Sequence, residues 1–173
     1  MFLAPALPLI HSAEVDHMRS GHRVPTDRRG GFTLIELLVV VAVIGIISAI
    51  ALPNLMNSLD KAKQKKTMSD ARSIGVAVEA YATDTAKYPM NAANWAALKL
   101  HVDPYFIKAP PDTDGWSNGW DASTTAAGDN YTVASTGKDG IVGARPGGAT
   151  QNFNSDIVFS QGRFFRWPEG TQS

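Results

Sequence analysis

Residues 32–52 read FTLIELLVVVAVIGIISAIAL, an apolar block interrupted by one charge, Glu36, and closed by Pro53. Its length matches the roughly 20 residues that a helix needs to cross a bilayer. The pattern then changes from continuous to periodic. After Leu55, Met56 and Leu59 comes a polar collar, Asp60-Lys61-Ala62-Lys63-Gln64-Lys65-Lys66, and beyond it Met68, Ala71, Ile74, Gly75, Val78, Tyr81 and Ala82 recur at three- and four-residue steps. That is the stripe of a helix with one buried face. A proline kinks a helix as readily as it ends one, so the pattern predicts one helix over residues 33–83, about 75 Å long at 1.5 Å per residue. Its first half suits lipid and its second half suits a domain. The lysines of the collar read as a solvated face, with contact to anionic lipid head groups as the alternative.

Tyr88-Pro89 ends the periodicity, and residues 92–102, with Trp95, Leu98 and Leu100, read as a short second helix. His101 closes it with no partner at metal spacing and is given no catalytic role. Residues 103–112 form a proline-rich connection. Further on, Asp114-Gly115 and Asn118-Gly119 are turn signals, and residues 130–135, 157–159 and 163–167 read as short strands. The expected fold is α+β: a long amino-terminal helix, half in membrane and half amphipathic, packed on a small antiparallel sheet with a loop-rich carboxyl end. The sheet is expected to bury Trp116, Trp120, Tyr131 and Val133.

Composition narrows the functional classes. Of 16 basic and 16 acidic residues, Arg19, Arg23, Arg28 and Arg29 and Glu14, Asp16 and Asp27 precede Phe32, leaving 12 and 13 after it. So even a balance implies no field for a polyanion, and nucleic acid is not an expected partner. There is no cysteine, so no disulfide holds the carboxyl-terminal loops. A leader is expected over residues 1–31, with Met18 as a simpler start, because residues 18–31 are short and basic. Arginines there favour a cytoplasmic leader and place everything after Pro53 across the membrane. The basic, glycine-ended stretch Asp27-Arg28-Arg29-Gly30-Gly31 stands before the apolar block, unlike the small-residue cleavage site that follows the core of a secretory signal.

Gly31-Phe32-Thr33-Leu34-Ile35-Glu36 and the apolar run after it resemble the type IV pilins and the pseudopilins of type II secretion systems. The resemblance implies that a prepilin peptidase cuts after Gly31 and methylates the new amino terminus at Phe32. It implies domains at 1–31 (leader), 32–52 (transmembrane and assembly helix) and 53–173 (periplasmic domain). The implied function is structural: an inner-membrane, single-pass subunit that polymerises into a periplasmic filament for protein export. Implied partners are further copies of the chain, the peptidase, other pseudopilins, inner-membrane assembly proteins, and lipid before assembly. Tyr88-Pro89, Pro110-Pro111-Asp112, Trp116, Tyr131 and the 135–140 segment resemble the major pseudopilin's domain, with the family's Asp-Pro-Trp-Gly replaced here by Asp112-Thr113-Asp114-Gly115-Trp116. A type IV pilin of an adhesion, motility or DNA-uptake fibre is the close alternative.

Two sites follow. Thr33 and Glu36 have capping-box spacing, which satisfies backbone donors at a helix start. A carboxylate inside a membrane segment also calls for a partner, and the Phe32 amine of a neighbouring subunit is the one cleavage creates. Residues 140–155 hold four glycines and one proline, a long loop that something must tie down. Asp139, Asn154 and Asp156, with backbone oxygens near Thr136, offer hard oxygen ligands, and a calcium ion takes about six to eight of these. The resemblance matches Asp139 and Asp156 to the family's calcium segment, though one adjacent acid is replaced by Ser155. The plain alternative is a turn at Asp139-Gly140 and a strand-edge charge at Asp156. A membrane-anchored enzyme or binding module is the other class weighed, but no nucleophile–base–acid set or phosphate loop has motif spacing. Trp116, Trp120 and Trp167 suit packing better than a carbohydrate platform.

Overall fold

A computed structural model describes residues 30–172, and the expected leader before Gly30, with the alternative start at Met18, lies outside the described residues. Helix α1 runs Leu34–Thr85 with Pro53 inside it, as the resumed periodicity predicts. The chain divides into two compact units at Val40–Val41. In the first, α1 opens with the Thr33 carbonyl accepting the Leu37 N–H at 3.2 Å.

The second unit carries the rest of α1, a short helix and one sheet. Helix α2 is Trp95–Val102, shorter than the expected 92–102 because Asn94 caps it, its side chain accepting the Ala97 N–H at 2.9 Å. An asparagine at that position supplies an acceptor to an otherwise orphaned donor. Five strands follow: β1 (Asp121–Thr124), β2 (Tyr131–Ser135), β3 (Gly148–Thr150), β4 (Ile157–Ser160) and β5 (Arg163–Pro168). Their order is β1-β2-β4-β5-β3. Four strands pair antiparallel, as expected, but β3 pairs with β5 in parallel, so the sheet is mixed.

One core joins these elements. Ala71, Ile74, Ala77 and Val78 of α1 meet Trp95, Leu98 and Val102 of α2 and Trp120, Ala122, Tyr131, Val133 and Phe159 from the sheet side. The approach is close because α1 carries Gly75 where the Phe159 ring lies: a β-carbon there would sit 2.1 Å from the ring. Phe159 also meets Phe164 edge-on at 4.9 Å, and Tyr131 meets Tyr88 at 4.9 Å. Trp116 departs from the expectation of burial. It is half-exposed and reaches back to α1 through its indole N–H.

Candidate assembly site and C-terminal loop

At the amino-terminal site, Phe32 is exposed, and Thr33 and Glu36 form both arms of a capping box. The Glu36 N–H donates to Thr33 Oγ1 at 3.2 Å, and the Thr33 N–H reaches Glu36 Oε2 at 3.5 Å, a long contact. The single chain therefore occupies Glu36 only weakly, and its carboxylate keeps capacity for a stronger partner. Large apolar residues from Leu34 through Leu59 are exposed, and none of the most apolar stretch of α1 is buried. By length and composition this helix is able to cross a membrane.

Past Pro53 the buried face of α1 begins earlier than apolar periodicity indicates. Asp60, Gln64 and Thr67 are buried in step with Ala71, Ile74 and Val78. The collar is expected to face water, and its lysines do, but Asp60 and Gln64 do not. Asp60 accepts from Lys138 Nζ at 2.8 Å and from the Trp116 indole at 3.3 Å. Burial pushes its pKa up, yet the bonds from Lys138 and Trp116 and the nearby Lys63 charge outweigh that and hold it below the ordinary carboxylate value. Gln64 donates to Gln172, and Thr67 Oγ1 accepts the Gly115 N–H at 2.9 Å. Hence the polar end of the stripe is a docking strip for loops, each polar group meeting its partner.

The turn at Asp114 explains how the chain manages without the family's Asp-Pro-Trp-Gly. Asp114 is buried, and its Oδ1 accepts the N–H groups of Trp116 and Asn118, each at 2.9 Å, while Oδ2 accepts from Ser135 Oγ at 2.6 Å. Gly115 lies against α1 so closely that a β-carbon would stand 2.2 Å from the Lys63 carbonyl oxygen. The turn thereby aims Trp116 at Asp60.

The expected cation ligands behave differently from one another. Asp139 is exposed and its Oδ1 accepts the Ile141 N–H two residues on, a local turn. Asn154 is exposed, and its backbone N–H donates to Asn152 Oδ1. The Thr136 hydroxyl is buried with no hydrogen-bond partner. Asp156 is buried at 1% exposure: the Gly143 N–H lies between its oxygens, 3.2 Å from Oδ2 and 3.3 Å from Oδ1, and Arg145 Nε donates to Oδ2 at 2.6 Å. Arg145 Nη1 also pairs with Asp121 at 2.7 Å. Among the described residues no three acidic or histidine groups gather as a metal set. One orphaned neutral hydroxyl does not offset a guanidinium already seated on the principal carboxylate, so this donor set does not fit calcium. Arg145 is the residue of this cluster that sequence reasoning missed. A lone arginine among glycines carried no spacing signal that linked it to Asp121 and Asp156.

The loop is held by other means as well. Lys138 N–H donates to the Phe153 carbonyl at 2.9 Å, Phe153 is buried, Arg166 donates to the Ala144 carbonyl, and Gln172 Nε2 donates to the Thr150 carbonyl at 2.8 Å.

A helix with a bare apolar first half and a second half that forms one wall of a small α+β core defines the pilin-like class. Residues 26–52 match the prokaryotic N-terminal methylation motif, and residues 54–157 match the family of type II secretion system (T2SS) protein G. A type II secretion system core protein G of Vibrio cholerae serotype O1 is 32% identical over 133 residues, 70% of this chain and 89% of its own length. The protein of that name from Aeromonas hydrophila is 31% identical over 126 residues, 67% of this chain and 87% of its own length. That from Escherichia coli (strain K12) is 29% identical over 129 residues, with 68% and 88% covered. The chain belongs to the type II secretion system protein G family, the major pseudopilins.

Proposed function

We propose that the chain is a structural subunit of the type II secretion pseudopilus, cut after Gly31, methylated at Phe32, and polymerised through α1. The observation that carries this reading is the bare apolar surface of α1 with a single carboxylate, Glu36, at its start. In the membrane, lipid covers that surface. In a filament, the same surface of neighbouring subunits replaces lipid, and the free Phe32 amine of one subunit neutralises Glu36 of the next. The arginines of the leader favour a cytoplasmic amino end and a periplasmic domain, with residues 1–31 removed, 32–52 spanning the membrane and 53–173 beyond it. Assembly then engages the prepilin peptidase, inner-membrane assembly proteins and other pseudopilins. The role is structural rather than catalytic.

Mass spectrometry of the mature protein tests the processing step. The expected chain begins at an N-methylated Phe32. A mature chain that retains Gly31 or begins beyond Phe32 overturns the reading.

A further inference from the structure

The carboxyl-terminal loop lacks both a disulfide and a donor set that suits calcium, yet it is pinned at one point by charge. Asp121 opens β1 and stands opposite Ala134 of β2, which in turn stands opposite Val158 of β4, two residues beyond Asp156. A group that bonds both Asp121 and Asp156 therefore reaches across the end of β2. Arg145 does this from the loop, with Nη1 at 2.7 Å from Asp121 and Nε at 2.6 Å from Asp156. The Gly143 N–H is the other donor to Asp156, and a β-carbon at Gly143 would lie only 3.3 Å from Asp156 Oδ1. The fork of the guanidinium fits two carboxylates at once, which a point charge does not. Burial works against the charged guanidinium, and the bonds to Asp156 and Asp121 more than restore it, so it stays charged.

We propose that Arg145 is a built-in cation that clasps the loop onto the sheet in place of a divalent metal, so that the domain of this subunit folds independently of calcium. The clasp gathers β1, β4 and the loop into one unit, the same task that a calcium ion bound to oxygens of two distant segments would perform. While the arginine is seated on Oδ2, a metal at Asp156 would meet the positive guanidinium and would have only Oδ1, which shares the Gly143 N–H, to bind. This proposal stands apart from the reading as a pseudopilin: a chain that fails to form filaments still carries the clasp, and the two fail in different assays.

Thermal unfolding of the full chain in detergent micelles tests it. Tryptophan fluorescence is the probe, because Trp95, Trp116, Trp120 and Trp167 all lie outside the apolar half of α1. The wild-type Tm is expected to be the same in millimolar calcium and in chelator, within about 1 °C. Arg145→Ala is expected to lower Tm by about 10 °C in chelator, since it leaves a buried carboxylate unpaired. Arg145→Lys, which keeps the charge and loses the fork, falls between the two. Should Arg145→Ala not fold, Arg145→Lys and Asp121→Asn report the same loss in milder form. A wild-type Tm that rises by several degrees with calcium and returns with chelator overturns the proposal. So does an Arg145→Ala chain, or failing that both milder variants, that unfolds at the wild-type temperature.

Discussion

Gly115 shows how much of this domain turns on single atoms. Its amide bonds Thr67 Oγ1, and the space where a side chain would begin is occupied by the Lys63 carbonyl. Gly115→Ala is expected to cost about 2–3 kcal/mol, read as a Tm fall of about 5–10 °C, because the clash is with helix backbone that does not yield. Gly119→Ala is the control: nothing lies within 4 Å of its added carbon, and its cost should stay under about 0.5 kcal/mol. Asp60 makes a second prediction, with a pH signature. Its folded-state pKa lies below the ordinary value of 3.8, so its contribution is complete above that value and is lost as pH falls below it through the folded-state pKa. Asp60→Asn should therefore cost about 1–3 kcal/mol at neutral pH, discounted because Lys138 is half-exposed, and the gap to wild type should shrink in acid. A gap that is unchanged between neutral pH and pH of about 3 would show that the charge of Asp60 contributes nothing.

At the scale of elements, α1 and the sheet meet where Gly75 receives the Phe159 ring. The large residue is on the strand and the small one on the helix, which brings backbone and ring into direct packing. Removing the ring leaves a cavity at the centre of the core rather than at its rim. Phe159→Ala is expected to destabilise the full chain by about 3–5 kcal/mol in denaturant unfolding, whereas a loss below about 1 kcal/mol would place the principal contact elsewhere. The polar strip of Asp60, Gln64 and Thr67 extends the same face of α1 and binds loops through hydrogen bonds instead of rings. Thus one helix face changes its chemistry along its length while its geometry stays constant.

At the scale of the molecule, the pseudopilin reading rests on exchange of lipid for copies of the chain. Glutamine also satisfies a capping box, so Glu36→Gln keeps the helix start and removes only the charge. Expected is ordinary membrane abundance of the processed subunit with filament yield lower by at least about tenfold, since a loss of ~1.4 kcal/mol per subunit contact raises the threshold concentration for assembly about tenfold. Filaments of ordinary number and length from the Glu36→Gln chain, counted by electron microscopy of sheared fractions, would refute the pairing of Glu36 with a neighbour's Phe32 amine.

Local pattern alone sufficed for α1, α2 and strands β2, β4 and β5, because each carries its own apolar period or β-branched and aromatic run. It sufficed also for the family, through the stretch around Gly31, Phe32 and Glu36. Strands β1 and β3 were not legible: Asp121-Ala122-Ser123-Thr124 and Gly148-Ala149-Thr150 have weak intrinsic preference and are strands only because β2 and β5 offer them hydrogen bonds. The docking of Asp60 and the clasp of Arg145 were equally hidden. Sequence determines which residues carry charge, but whether a charge faces water or a partner many residues away depends on which backbones meet, and that was settled only when the loop, the sheet and α1 closed on one another.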